Sequence, residues 1–101
     1  MKFLRYNTDT RIYQQAAKVT LDRLTNGVTV KNNGNTVCLF NSDPLLPGES
    51  KAVGGNYGEI YTGRLDISFN VIGLTPAPVT PVNSAVVTYK FYQPGDGFDN
   101  P

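Results

Sequence analysis

The chain has 101 residues, a length typical of one domain, and 40% of them are hydrophobic while 17% are charged. This composition excludes a disordered polyelectrolyte, and no run approaches the roughly 18 apolar residues of a membrane span. The net charge of +1 argues against a strongly basic nucleic-acid-binding protein, and the absence of histidine excludes a histidine-based triad or metal site. We therefore expect no enzyme activity and no cofactor.

Targeting signals are not evident in the sequence. Cys38 is the sole cysteine, so no intrachain disulfide is possible, which fits synthesis in a reducing compartment. The apolar run after Met1 stops at Arg5, well short of the about 7–15 apolar residues of a signal peptide. We expect synthesis in the cytoplasm.

Charge divides the chain into a basic first third and an acidic remainder. Residues 1–31 carry six basic and two acidic side chains, net +4, whereas residues 32–101 carry three and six, net −3. These charges either cancel within one fold or attract the basic part of one copy to the acidic part of another. We interpret residues 1–17 as an N-terminal arm, or an arm ending in one short helical turn, followed by a strand to Leu24.

The next segment predicts a β-hairpin. Residues 28–31 and 36–40 alternate between apolar and polar side chains, and the Asn33-Gly34 pair lies between them. Asn-Gly between such runs is a strong signal for a two-residue turn, because both turn positions need a positive φ. The implied register sets Val30 opposite Val37 and buries Cys38 within a strand.

Turn signals and further strands follow. Pro47-Gly48 suits the central positions of a type II turn, residues 51–53 predict a short edge strand, and the glycines of residues 54–58 predict a loop. Residues 64–71 and 85–92 alternate with period two and predict two strands. The inward positions of these strands are Leu65, Ile67, Phe69 and Val71 in the first, and Ala85, Val87, Tyr89 and Phe91 in the second.

The second face of the 85–92 strand is only partly polar. It carries Val86 and Tyr92, so we expect part of it to be covered. The proline-rich residues 74–81 predict an extended connection, which either crosses one end of the fold or offers a docking strip to a partner.

Both ends of the chain combine apolar and charged side chains. Such ends order when other chains hold them, so we predict an interface there. Its predicted residues are Phe3, Leu4, Arg5, Tyr6, Arg11 and Tyr13 in the arm, with Asp96, Phe98 and Asp99 in the tail.

The order of these motifs resembles the small β-sandwich or jelly-roll-like virion proteins of bacteriophages, such as decoration, head-fibre, neck and baseplate proteins. The resemblance covers about residues 24–72 and is carried by residues 26–34, 36–40, 46–50, 58–63 and 65–69. It implies a role in assembly, and it transfers no functional residue to this chain.

We therefore predict an all-β fold, a small antiparallel β-sandwich or jelly-roll-like barrel of about seven strands. The arm spans 1–17, the body 18–92 and the C-terminal tail 93–101. The expected function is that of a bacteriophage structural protein, located in the virion after synthesis in the host cytoplasm, whose partners are other copies and other virion proteins. We expect no membrane span, nucleic acid or small-molecule substrate.

Two alternatives remain open. The first is a carbohydrate- or host-surface-binding β module, in which Tyr57, Tyr61 and Tyr92 stack on sugars. The second is a β-barrel that binds single-stranded nucleic acid through aromatic and basic side chains.

Overall fold

The computed structural model describes residues 5–21 and 24–92, and these residues are all-β with no helix. The helical turn considered for the segment that ends near residue 17 is therefore wrong. The eight strands, one more than expected, are β1 (Tyr6–Tyr13), β2 (Ala17–Thr20), β3 (Thr25–Asn32), β4 (Val37–Phe40), β5 (Asp43–Leu45), β6 (Ser50–Gly54), β7 (Arg64–Asn70) and β8 (Ala85–Tyr92).

The strands form two four-stranded sheets. The first sheet has the order β1-β8-β3-β6 and the second has the order β2-β7-β4-β5, and every pairing is antiparallel. The first strand pairs with the last, the second with the seventh, the third with the sixth and the fourth with the fifth. The chain thus follows the path of one long hairpin, and β3–β8 and β4–β7 pairs join its two halves within each sheet.

A single core lies between the sheets. The first sheet supplies inward side chains from β3 and β8, and the second supplies them from β4, β5 and β7. Ten residues form this cluster: Val28, Val30, Cys38, Phe40, Leu45, Leu65, Ile67, Ala85, Val87 and Tyr89. At about 1.5–3 kcal/mol for each large apolar side chain buried, this cluster is the main source of stability that joins the sheets.

The period-two predictions for β7 and β8 are confirmed over most of their length. Leu65 and Ile67 are fully buried, whereas Val71 lies beyond the end of β7 and is exposed. On β8 the predicted covering of the second face is also confirmed, because Tyr92 is only 2% exposed.

The predicted hairpin across Asn33-Gly34 is wrong. β3 pairs with β6 and β8, while β4 belongs to the other sheet, so residues 33–36 form a corner between the sheets. Gly34 does not have a positive φ. A Cβ there would lie 2.2 Å from the carbonyl oxygen of Val82, so glycine is needed for close backbone contact.

Asn32 holds this corner together from a fully buried position. Its side-chain amide donates hydrogen bonds to the carbonyl oxygens of Thr36 (2.6 Å) and Leu45 (2.8 Å), and its Oδ1 accepts one from the Gly34 N–H. The side-chain hydrogen bonds of Asn32 to nearby backbone groups favour this corner over a two-residue hairpin turn.

The tight turns of the chain lie further on. Asn41 and Ser42, between β4 and β5, have φ values of 50° and 71°, which is the backbone of a two-residue hairpin turn. The predicted Pro47-Gly48 turn is confirmed, because Gly48 has a φ of 87° and the Glu49 N–H donates to the Leu46 carbonyl. The predicted edge strand at residues 51–53 is confirmed as part of β6.

The proline-rich connection runs from β7 in one sheet to β8 in the other, so the predicted crossover is confirmed. We call residues 71–84 the β7–β8 loop. Its second half is held against the corner, since Asn35 donates to the Thr80 carbonyl and accepts from the Val82 N–H. The Thr36 hydroxyl also donates to Asn83 Oδ1 at 2.7 Å.

Candidate interface at the open edge between the sheets

β1 forms one edge of the first sheet and supplies most of the predicted interface that the structure describes. Its residues from Tyr6 to Ile12 are exposed, and Tyr13 is half-buried. Apolar side chains do not alternate regularly along this segment, which is why residues 6–13 were not predicted as a strand. Residues 6–13 of the segment interpreted as an arm therefore lie along β8 as a full strand with little core of its own.

The four described interface residues lie on different faces of this strand. Tyr6 lies on the outer face, where the Lys90 ammonium sits 4.1 Å from its ring centre. Arg11 and Tyr13 lie on the inner face, opposite the buried residues Val87 and Ala85, and exposed Arg5 precedes the strand. The remaining predicted residues lie outside the described residues: Phe3, Leu4, Asp96, Phe98 and Asp99.

A cavity of about 290 Å³ opens between β1 and β2, on the side of the molecule that we call the open edge. Its wall from the first sheet carries Tyr89 and Phe91, and its wall from the second carries Val19. The lining residues within the described part of the chain are Asp9, Arg11, Val19, Thr20, Leu21, Thr25, Tyr89 and Phe91. At this edge β1 has eight residues, whereas β2 in the second sheet has only four.

The charged groups of this cavity pair with each other. The Arg11 guanidinium donates to the Asp9 carboxylate at 3.2 Å, and this contact raises the pKa of Arg11. Both side chains belong to β1, so this ion pair does not connect the two sheets. Among the lining residues that the structure describes, the charges of Arg11 and Asp9 offset each other.

A tyrosine pair forms the inner end of the open edge. The hydroxyls of Tyr13 and Tyr89 share a hydrogen bond of 2.7 Å. Burial, followed by this hydrogen bond, raises the pKa of Tyr89 well above its usual value. The raised pKa keeps the Tyr89 hydroxyl protonated at physiological pH.

The opposite side of the molecule is closed by a different arrangement. Lys51 on β6 donates to the Asp43 carboxylate on β5, so this ion pair crosses from one sheet to the other. Asn32 adds its bond to Leu45 of β5 nearby. We call this side the closed edge.

The three tyrosines proposed to stack on sugars do not form one platform. Tyr57 is 75% exposed, but Tyr92 is 2% exposed and its hydroxyl accepts a hydrogen bond from the Gly58 N–H. Tyr61 is half-buried and packs against the core. The residues 55–60 loop thus covers Tyr92, so the expectation that Tyr92 is exposed is wrong.

Basic residues from the first third are spread over several surfaces. Lys18 lies opposite Asp66 on the second sheet, Lys31 lies on β3 of the first sheet, and Arg11 points into the open edge. Cys38 is fully buried in β4, and its burial raises the pKa of its thiol.

Within residues 5–21 and 24–92, no group of three or more cysteine, aspartate or glutamate side chains is placed to hold a metal ion. No helix in this described part of the chain has the length and hydropathy to cross a membrane.

Arg11 and Tyr13 were predicted as interface residues, but the cavity beside them was not predicted. The cavity depends on which strand of one sheet packs over which strand of the other, and local alternation does not carry that information. The proline-rich segment between β7 and β8 was the available signal that the chain crosses between sheets. No family model matches the chain, and comparisons with curated proteins and with solved structures found no match.

Proposed function

We propose that the chain is a jelly-roll β-sandwich and a structural protein of a bacteriophage virion, assembled in multiple copies through its open edge. The fold proposal rests on the strand order. Eight strands that pair as one long hairpin and then roll into two facing sheets are the arrangement of a jelly roll, which occurs in viral capsid and lectin domains.

The observation that carries the assembly proposal is the exposure of β1. Among the four edge strands, β1 has eight residues, while β6, β2 and β5 have five, four and three. A long edge strand presents backbone N–H and C=O groups that can pair with another chain. A protein that works as a monomer commonly shortens, covers or charges such an edge.

The outer face of β1 is also compatible with close contact. Thr8 and Thr10 are exposed there, and Thr10 bonds only the neighbouring Thr88 hydroxyl, at 3.3 Å. Ile12 is 62% exposed on the same face. The outward side chains of β1 itself carry no charge, so a second copy that contacts them desolvates no charged side chain of this strand.

The resemblance to phage virion proteins supplies the biological setting of this proposal. A fold alone does not identify a function, because jelly rolls also serve as lectins. The virion assignment is therefore preferred over the sugar-binding alternative because the exposed edge favours assembly and the expected tyrosine platform is not formed.

Sedimentation of the purified chain tests the proposal. We expect wild-type protein to self-associate as its concentration rises, and Thr8→Lys or Thr10→Lys to weaken association at least about tenfold, because lysine on an edge strand opposes pairing. Ala52→Lys on β6, the other edge of the same sheet, is the matched control and should leave association unchanged. Wild-type protein that stays monomeric at every concentration would contradict the proposal.

A further inference from the structure

The β7–β8 loop exposes several apolar side chains to solvent. Val79 is 100% exposed and Ile72 is 80% exposed, and Val82 is half exposed. None of the fourteen residues of this loop is charged. Exposed apolar surface that lacks charge is typical of protein contact sites, because interface centres are depleted of charged residues.

The second half of the loop is held against the corner between the sheets. Asn35 bonds the loop backbone at Thr80 and Val82 through its side chain, and its own N–H donates to the Val82 carbonyl at 2.9 Å. The Asn33 N–H donates to the Ser84 carbonyl at 2.8 Å. A partner that binds the loop therefore orders few additional groups, which lowers the entropic cost of association.

The open-edge cavity offers a complementary surface on the same molecule. Its walls include Val19, Leu21, Tyr89 and Phe91, and its two charged side chains neutralise each other. At about 290 Å³ it is roughly twice the 150 Å³ of an engineered cavity that binds benzene. This leaves room for one or two small apolar side chains.

We infer that the β7–β8 loop of one copy inserts Val79 into the open-edge cavity of the next copy. The inference rests on the proposed multi-copy assembly and names the contact that builds it. The loop and the cavity share no residue, so each copy can give its loop to one neighbour and receive the loop of another. A contact between two different surfaces of one molecule generates a ring or a filament.

Polarity argues for this occupant over a charged one. A carboxylate entering the cavity would compete with Asp9 for Arg11, and an ammonium would compete with Arg11 for Asp9. An uncharged loop leaves that ion pair intact at the mouth of the cavity. The same contact lies beside β1, so it continues the surface already proposed for assembly.

Cysteine cross-linking tests the contact directly. We expect a mixture of a Val79→Cys chain and a Thr20→Cys chain to give a covalent dimer under mild oxidation. A chain that carries both substitutions should give a ladder of covalent dimers, trimers and longer products, and each single variant alone should give no covalent product. Cys38 is fully buried, so it contributes no background.

Tyr57→Cys paired with Thr20→Cys is the matched control, since Tyr57 is also highly exposed but lies in the loop between β6 and β7. It should give no dimer. A Val79→Cys chain that dimerises with itself would overturn the inference in favour of a loop-on-loop contact.

Sedimentation separates this inference from the function on which it rests. We expect Val79→Lys to weaken self-association at least about tenfold, because it places a charge in the cavity. Assembly that Thr10→Lys weakens but Val79→Lys leaves unchanged would overturn the loop contact alone. A monomeric wild-type protein would overturn both proposals.

Discussion

The two long sides of the molecule bring the sheets together in different ways. At the closed edge an ion pair between Lys51 and Asp43 crosses from one sheet to the other, and Asn32 reaches from the first sheet to Leu45 in the second. At the open edge the Arg11–Asp9 pair stays within β1, and a cavity remains between the walls.

We infer that the closed edge contributes to the stability of the fold, whereas the open edge leaves surface accessible to a partner. At the closed edge the buried Asn32 amide bonds the Thr36 and Leu45 carbonyls within the chain. The open edge keeps apolar walls in contact with solvent, so covering them releases free energy at about 25 cal/mol for each Å² removed from water. We therefore expect loss of the Asn32 contacts at the closed edge to affect folding most, and substitutions on the exposed surface of the open edge to affect association.

The largest effect on folding should come from Asn32→Ala. This change leaves the carbonyls of Thr36 and Leu45 and the Gly34 N–H without their partner in a buried corner. Each unsatisfied buried group costs about 1–3 kcal/mol, so the free energy of unfolding should fall by about 3 kcal/mol, measured by urea denaturation. Asn33→Ala, at the exposed neighbouring position, should stay within about 0.5 kcal/mol of wild type.

A loss below about 1 kcal/mol for Asn32→Ala would show that the Asn32 contacts do not hold the closed edge. It would thereby remove the contrast between the two edges, because neither would then depend on a buried polar link.

An intermediate effect is expected at the open edge from Tyr89→Phe. At neutral pH it removes the hydrogen bond to Tyr13 and should lower the free energy of unfolding by about 1 kcal/mol. The folded state raises the pKa of Tyr89, so above about pH 10 the unfolded chain releases a proton that the folded chain retains. Wild-type stability therefore falls as pH rises, and the difference from Tyr89→Phe should shrink.

Urea denaturation between neutral pH and pH 11 measures this convergence. Both proteins retain Cys38, so the alkaline titration of that thiol cancels from the comparison. Tyr57→Phe, at an exposed position, should follow wild type throughout. Parallel pH profiles for wild type and Tyr89→Phe would count against the buried tyrosine pair.

The smallest effect should come from the two ion pairs. Lys51→Met removes the pair that crosses the closed edge and should cost about 0.5 kcal/mol at low salt, less as salt screens the charges. Arg11→Met should leave folding unchanged, because its pair lies within one strand. Equal losses for the two variants, measured by thermal unfolding at two salt concentrations, would contradict the distinction between the edges.

Local patterns predicted the elements whose structure is decided locally. The alternation of β7, the Pro47-Gly48 turn and the short β6 edge follow from side-chain spacing and φ preferences. The predicted Asn33-Gly34 hairpin is wrong because the same dipeptide suits a corner in which Asn32 bonds its neighbours and Gly34 lies against Val82. The choice between these outcomes depends on β8, some fifty residues away along the chain.

The candidate interface was predicted only in part for the same reason. Arg11 and Tyr13 could be named from composition, yet the cavity beside them requires β1 and β2 to lie in facing sheets. The extended connection between β7 and β8 was predicted from its prolines. What it faces in an assembly depends on geometry that no single segment contains.

The position of β8 has a consequence for how the protein is made. Only the β4–β5 hairpin joins residues close in sequence, with Phe40 facing Asp43, whereas Tyr6 faces Tyr92 across nearly the whole described chain. β8 lies in the middle of its sheet, between β1 and β3. During translation the first sheet therefore cannot close until β8 has left the ribosome. Slow folding is expected because the contacts that close this sheet join residues far apart in sequence.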